Sequence, residues 1–175
     1  MIEGGDEKMS NDKLKVYCET SFWSYLAGKQ TADEKIARDQ ALSLKWWQEI
    51  SPACDIYISQ HVTVEATRGS ALLAARRSEV MSSALSVDGM IEEVRHLAAT
   101  LLNAHAVPET EPTDALHIAT ASVYARDVLL TLNCRHMANL VALPETISTI
   151  SKAGYQCPII ITPGEFIDRR EEFGL

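Results

Sequence analysis

Short apolar runs separated by longer helical stripes set the order of elements along this chain. Leu14-Lys15-Val16-Tyr17-Cys18 is one such run, and Asp55 to Gln60 alternates Ile56 and Ile58 with Tyr57 and Ser59. Residues 127–132 and Cys157 to Thr162 are apolar again, and all four read as strands. After the first, Thr20-Ser21 caps a short helix from Phe22 to Ala27 that Gly28 ends. Ile36, Ala37, Leu42, Trp46, Trp47 and Ile50 then mark a long amphipathic helix over Asp33 to Ile50, stopped by Ser51-Pro52. A short helix carrying Glu65 breaks near Gly69, and a second runs from about Ala71 to Leu85. Met90, Ile91, Val94, Leu97, Ala98, Leu101 and Leu102 form the clearest helical stripe. The loop from Ala106 to Thr113 delivers Asp114, with Thr113 as N-cap and Asp114 as the first residue of a helix of small and apolar side chains. The last helices are expected from Ala138 or Asn139 to Ala153, with Gly154 as stop, and from Pro163-Gly164 onward. Strands alternating with helices predict an α/β class: a three-layer α/β/α domain over residues 14–175, its mostly parallel central sheet of about five strands flanked by helices. Residues 1–13 carry no periodicity and are expected to be a tail, with Met9 an alternative start.

This pattern has a chemical consequence. Glu19 and Asn133 each lie just past a predicted strand, Glu65 lies in the first turn or two after another, and Asp114 opens a helix. In a parallel sheet with crossover helices, strand C-termini and helix N-termini share one edge, where open α/β sheets carry their sites. Carboxylates and an amide gathered there, without a Cys or His cluster, suit Mg²⁺ or Mn²⁺ rather than zinc. Such an ion activates water and neutralises a leaving oxygen, which makes phosphodiester hydrolysis the natural reaction. His117 shares a helical face with Asp114 and is read either as a packed histidine or as a group supporting the site. His136, close to Asn133 in sequence, is read either as a phosphate-contacting or proton-transferring group or as structural. The chain has no Gly-x-Gly-x-x-Gly, Walker-type loop or Gly-x-Ser-x-Gly elbow, so nucleotide-cofactor and serine-hydrolase chemistry lack support.

Composition narrows the setting. The chain has 175 residues with 46% hydrophobic and 23% charged, which suits one soluble domain burying roughly 70% of its unfolded-chain surface. The 4 cysteines are scattered without a C-x-x-C pair and read as buried thiols of a reducing compartment. No apolar run approaches the roughly 18 residues that span a bilayer, and the start is polar and acidic, so a cytoplasmic protein without membrane association is expected. A formal net charge of -8 argues against a broad phosphate-binding face. Any grip on nucleic acid falls to local basic spots such as Arg68, Arg76, Arg77 and Arg135. Trp46 and Trp47 read as core plus partner surface, since their neighbours are not basic.

The segments Val16-Tyr17-Cys18-Glu19-Thr20-Ser21, Val62-Thr63-Val64-Glu65-Ala66, Asp114-Ala115-Leu116-His117-Ile118-Ala119 and Leu130 to Asn139 resemble the successive motifs of the PIN domain, in the VapC-like toxin group. The resemblance covers nearly the whole chain after residue 13. It implies a metal-dependent endoribonuclease that hydrolyses RNA, frequent homodimers, and a small antitoxin protein that occludes the site. Carried over by motif, Glu19, Glu65, Asp114 and Asn133 are the implied catalytic and metal-binding set. Arg135 and His136 are the expected substrate contacts, and Thr20, Ser21 and His117 the supporting residues. Two positions depart from the family's pattern, which usually has Asp at Glu19 and commonly at Asn133. Glu19 is one methylene longer than Asp, which an octahedral Mg²⁺ shell tolerates poorly. Asn133 contributes a neutral oxygen, so a second metal should bind more weakly and activity should be low or depend on Mn²⁺. Two alternatives follow: a catalytically weakened PIN-like binding or scaffold module, and a DNA- or structure-specific nuclease.

Overall fold

The computed structural model describes residues 13–175; apart from Lys13, the expected tail lies outside the described residues. In chain order the elements are β1 (Leu14–Cys18), α1 (Thr20–Leu26), α2 (Glu34–Glu49), β2 (Cys54–Ser59), α3 (Gln60–Ala66), α4 (Ala71–Met81), β3 (Leu85–Val87), α5 (Glu92–Asn103), α6 (Pro112–Val123), β4 (Val128–Leu130), α7 (Leu143–Lys152), β5 (Ile159–Ile161) and α8 (Pro163–Asp168). The sheet has 5 strands in the order β3-β2-β1-β4-β5. Every strand pair in it is parallel.

From β1 the chain steps outward to β2 and β3, then crosses back over to β4 and β5. Because crossovers between parallel strands are right-handed, the two directions of travel send their helices to opposite faces. The packing agrees: α5 lies against α6 and α7, whereas α2 packs on α1 and α8, and α1 on α3 and α4. The order reverses between β1 and β4, and a crevice opens at the C-terminal ends of these two strands. β1 and β4 are apolar and fully buried over Val16, Tyr17, Cys18, Val128, Leu129 and Leu130, as expected of strands covered on both faces. On the α1/α2/α8 face the core is aromatic. Phe22 meets Trp23 and Trp46 edge to face, with centroids 5.2 and 5.4 Å apart, and Trp46 continues to Phe166 at 5.6 Å.

Several element boundaries differ from the sequence expectation, each for a physical reason. Glu19, not Thr20 or Ser21, caps α1, since its carboxylate accepts from the Ser21 N–H at 2.8 Å. α4 stops at Met81, and Leu85–Val87 leaves it to form an exposed edge strand too short to carry a period. α6 begins at Pro112, not Asp114; proline suits the first turn, where its missing N–H has no partner to lose. α7 begins at Leu143 rather than Ala138 or Asn139, again with a proline in its first turn. Cys18 and Cys54 are buried as expected, but Cys134 is exposed on the turn after β4. Trp46 is fully buried and Trp47 packs against the core, so the aromatic face of α2 turns inward and leaves Ile36 and Leu44 outside. No helix among the described residues is long and apolar enough to cross a membrane.

α6 ends in a Schellman turn: Arg126 N–H bonds Ala121 O at 2.8 Å and Ala125 N–H bonds Ser122 O at 3.0 Å. The left-handed position of that turn holds exposed Ala125 at φ 49, where α7 has Gly154 at φ 89. An L-residue there carries a penalty of roughly 1–2 kcal/mol, partly offset in glycine by unfolded-chain entropy. Ala125→Gly is therefore expected to stabilise the protein by about 0.5–1 kcal/mol, read as a higher urea midpoint with an unchanged m-value.

Candidate active site

Three segments meet at the β1/β4 crevice, and short local features fix each one. Glu19 follows β1 directly, is only 4% exposed, and is held by Ser21: the backbone N–H donates to Oε2 at 2.8 Å and the hydroxyl donates to Oε1. The same Ser21 hydroxyl accepts the Leu132 N–H at 2.8 Å, tying the start of α1 to the chain leaving β4. Glu19 N–H in turn donates to Leu130 O at 3.2 Å. The two strand ends are thereby pinned on either side of a buried carboxylate.

Glu65 sits in the second turn of α3, near its C-terminal end rather than at a helix start. Thr20 Oγ1 donates to its Oε2 at 2.5 Å, and His117 Nε2 lies 2.9 Å from the same oxygen. Behind it runs a buried chain: His117 Nδ1 is 2.9 Å from the Tyr17 hydroxyl, which is 2.7 Å from Ser59 Oγ. Burial pushes the Tyr17 hydroxyl far above its ordinary value, so it stays a neutral donor. The Nε2 side of His117 thus serves Glu65, and Tyr17 and Ser59 support the ring from its Nδ1 side. Burial raises the Glu65 carboxyl, but the hydrogen bonds from His117 and Thr20 and the charges of His117 and Arg68 outweigh it, and its pKa falls below the ordinary carboxylate value. Thr20, Ser21 and His117 each contact one of these carboxylates. Tyr17 and Ser59, hidden in strands that read simply as core, complete the support.

Asp114 lies in the first turn of α6, where the helix macrodipole favours a carboxylate. Its Oδ2 accepts from Asn133 Nδ2 at 2.8 Å, while Asn133 Oδ1 accepts the His136 N–H at 3.2 Å. His136 Nδ1 faces back, 3.3 Å from Asp114 Oδ2 and 3.6 Å from Glu111 Oε1. Ligand atoms of Glu111, Asp114 and His136 all lie within 4.8 Å of one another. Sequence reading missed Glu111; the signal was Pro112, which marks the residue before it as the end of the loop and the entry to the helix. Burial, followed by the negative charge of Glu19, raises the Asp114 pKa. Glu19 and Asp114, distant in sequence, therefore feel each other across the crevice. Arg135 is exposed, and Arg68 lies 3.9 Å from Glu65 at the outer rim. Arg77 turns away: its guanidinium donates to Ala66 O at 2.8 Å and to Arg68 O, closing the end of α3.

A carboxyl whose folded pKa is raised is stabilising below its unfolded value, and that stability is lost as pH rises through the folded value. At neutral pH an ionised Asp114 thus strains the metal-free fold. Asp114→Asn keeps an acceptor for Asn133 and removes the charge. It is expected to melt higher than the unaltered protein in chelator, and to lose the further rise that excess Mn²⁺ gives the unaltered chain; thermal melts in both buffers check this.

No protein-family model matches this chain, and no curated protein matches it. Solved structures do. The chain is similar to VapC20 of Mycobacterium tuberculosis, described as a sarcin-ricin loop cleaving toxin, at 19% identity over 65% of this chain and 86% of that one, with TM-score 0.50. It is also similar to a chain of VapBC2 from Rickettsia felis bound to a promoter DNA fragment, at 11% identity over 84% and 97% of the two chains, with TM-score 0.53. At these identities the likeness is one of fold. This chain has the α/β fold of these VapC structures.

Proposed function

We propose that this protein is a metal-dependent endoribonuclease and the toxin of a type II toxin–antitoxin pair. The observation that carries the reading is the meeting of Glu19, Glu65 and Asp114, with Asn133, at the one sheet edge where strand order reverses. The donor set fits Mg²⁺ or Mn²⁺: hard oxygens, no thiolate, and an Asp114 carboxyl whose charge is opposed by burial and by Glu19. Asp114 and Glu65, with Glu19 and Asn133, would hold the ion. When bound, it supplies an activated water and charge neutralisation at the leaving oxygen.

The remaining work belongs to the protein. His117, fixed by Tyr17, holds Glu65 in one orientation and favours its ionised form, as a metal ligand requires. Asn133 fixes Asp114 through its amide and presents no charge of its own to the incoming phosphodiester. Exposed Arg135 and Arg68, together with His136, are the groups we assign to the RNA backbone, in keeping with a chain too acidic to bind RNA along a broad face. The VapBC2 likeness supports a small antitoxin as partner, and a cytoplasmic homodimer is the expected form.

One observation favours a second reading. Both Glu19 oxygens are engaged by Ser21, so Glu19 serves as a helix cap, and with Asn133 neutral the site has less charge for a metal. A weakened binding module would keep this shape without cutting. Incubation of labelled single-stranded RNA with the purified protein and Mn²⁺ separates the readings. We expect chelator-sensitive cleavage that drops about 100-fold or more in Asp114→Asn and in Glu65→Gln, the scale of losing a charge-stabilising group, while matched DNA is spared for want of the 2′-OH. Cleavage equal in all three proteins would remove the assignment. Equal cutting of DNA would shift it to a general phosphodiesterase.

A further inference from the structure

We infer that His136 and Glu111 complete, with Asp114, a mixed imidazole–carboxylate site that selects a first-row transition dication over Mg²⁺. This rests on reading Asp114 as a metal ligand and goes beyond it, because the ligand set implied by the fold contains only oxygen donors.

The geometry is specific. His136 is placed by its own backbone, whose N–H donates to Asn133 Oδ1 at 3.2 Å, and Asn133 is placed by Asp114 at 2.8 Å. The imidazole therefore stands in fixed relation to the carboxylate it faces. Its Nδ1, rather than Nε2, is turned inward, 3.3 Å from Asp114 Oδ2 and 3.6 Å from Glu111 Oε1. A ring nitrogen turned toward two carboxylates is bridged to them by its own proton or by a cation. Donors about 2.1 Å from one ion stand roughly 3.0–3.4 Å apart; the 3.3 Å separation from Asp114 already fits, and the 3.6 Å separation from Glu111 needs only a small inward movement of a part-exposed side chain. Glu111 is available for this role. It stands at the N-terminal boundary of α6, yet its side chain accepts no capping hydrogen bond.

The chemistry follows from donor type. Carboxylate and water suit Mg²⁺ and Mn²⁺ alike, whereas an imidazole nitrogen adds affinity for first-row transition ions and little for Mg²⁺. The neutral amide of Asn133 removes one hard anionic oxygen from the same place, which weakens Mg²⁺ further. With Nδ1 committed to the ion, the Nε2–H of His136 points outward and remains free to donate to a phosphate oxygen.

Mn²⁺ alone is the probe. Electron spin-echo measurements on the full chain with substoichiometric Mn²⁺ are expected to show ¹⁴N modulation from a directly bound imidazole, and His136→Gln to abolish it. In titrations, His136→Gln and Glu111→Gln should each weaken Mn²⁺ by about 10-fold and leave Mg²⁺ affinity within about twofold. Mn²⁺ bound without ¹⁴N modulation, or modulation that persists in His136→Gln, overturns the inference. The signal in the unaltered protein needs no variant to fold. Asp114-dependent RNA cleavage with no nitrogen coupling would leave the ribonuclease reading standing and remove only this site; coupling without cleavage would do the reverse.

Discussion

Ser21 bonds at the same time to the Glu19 carboxylate and to the N–H of Leu132, and everything at the crevice depends on that junction. β1 and β4 are neighbours in the sheet but far apart in sequence, and their connections run to opposite faces. Nothing in the ladder itself decides how the chain departs from their two ends. The Ser21 hydroxyl does, by accepting from one departing segment while donating to the other. α1 is thereby seated with Thr20 against Glu65, and the turn after β4 is seated with Asn133 against Asp114.

The site is a compromise between charge and burial. Glu19 and Asp114 repel one another in a partly desolvated space, and their direct hydrogen-bond partners are neutral: Ser21 for Glu19 and the Asn133 amide for Asp114. Hydrogen bonds from His117 and Thr20, with the charges of His117 and Arg68, overcome burial and bring Glu65 below the ordinary carboxylate value; at Asp114 burial and the charge of Glu19 prevail. The residual strain at Asp114 is what a dication would relieve. Burial and the charge of Glu19 thus make Asp114, whose pKa is raised, a less favoured anion than Glu65, whose pKa is lowered.

Much of this was legible in the sequence, and the failures are instructive. β1 and β2 declared themselves through apolar runs, and the ends of β1 and β4 put Glu19 and Asn133 on the right edge at once. β3 did not, because Leu85-Ser86-Val87 is too short for a period to form. Thr113 looked like a cap by residue type, but Pro112 at the first helical position moved the boundary back and promoted Glu111 to the site. His117 was recognisable as a neighbour of Asp114 on one helical face, yet it reaches Glu65 and Tyr17, 52 and 100 residues away in sequence, by contacts that no local spacing encodes. Glu19 was expected to act toward a metal. That it also caps α1 depends on a side-chain conformation that residue type alone does not set.

The central claim is that these converging groups form one cation site at the β1/β4 crevice. Anomalous diffraction from crystals soaked in Mn²⁺ tests it most directly. The expected result is a peak within bonding distance of the Asp114 carboxylate. A map with no peak at Asp114, or with Mn²⁺ bound only elsewhere on the acidic surface, would contradict it.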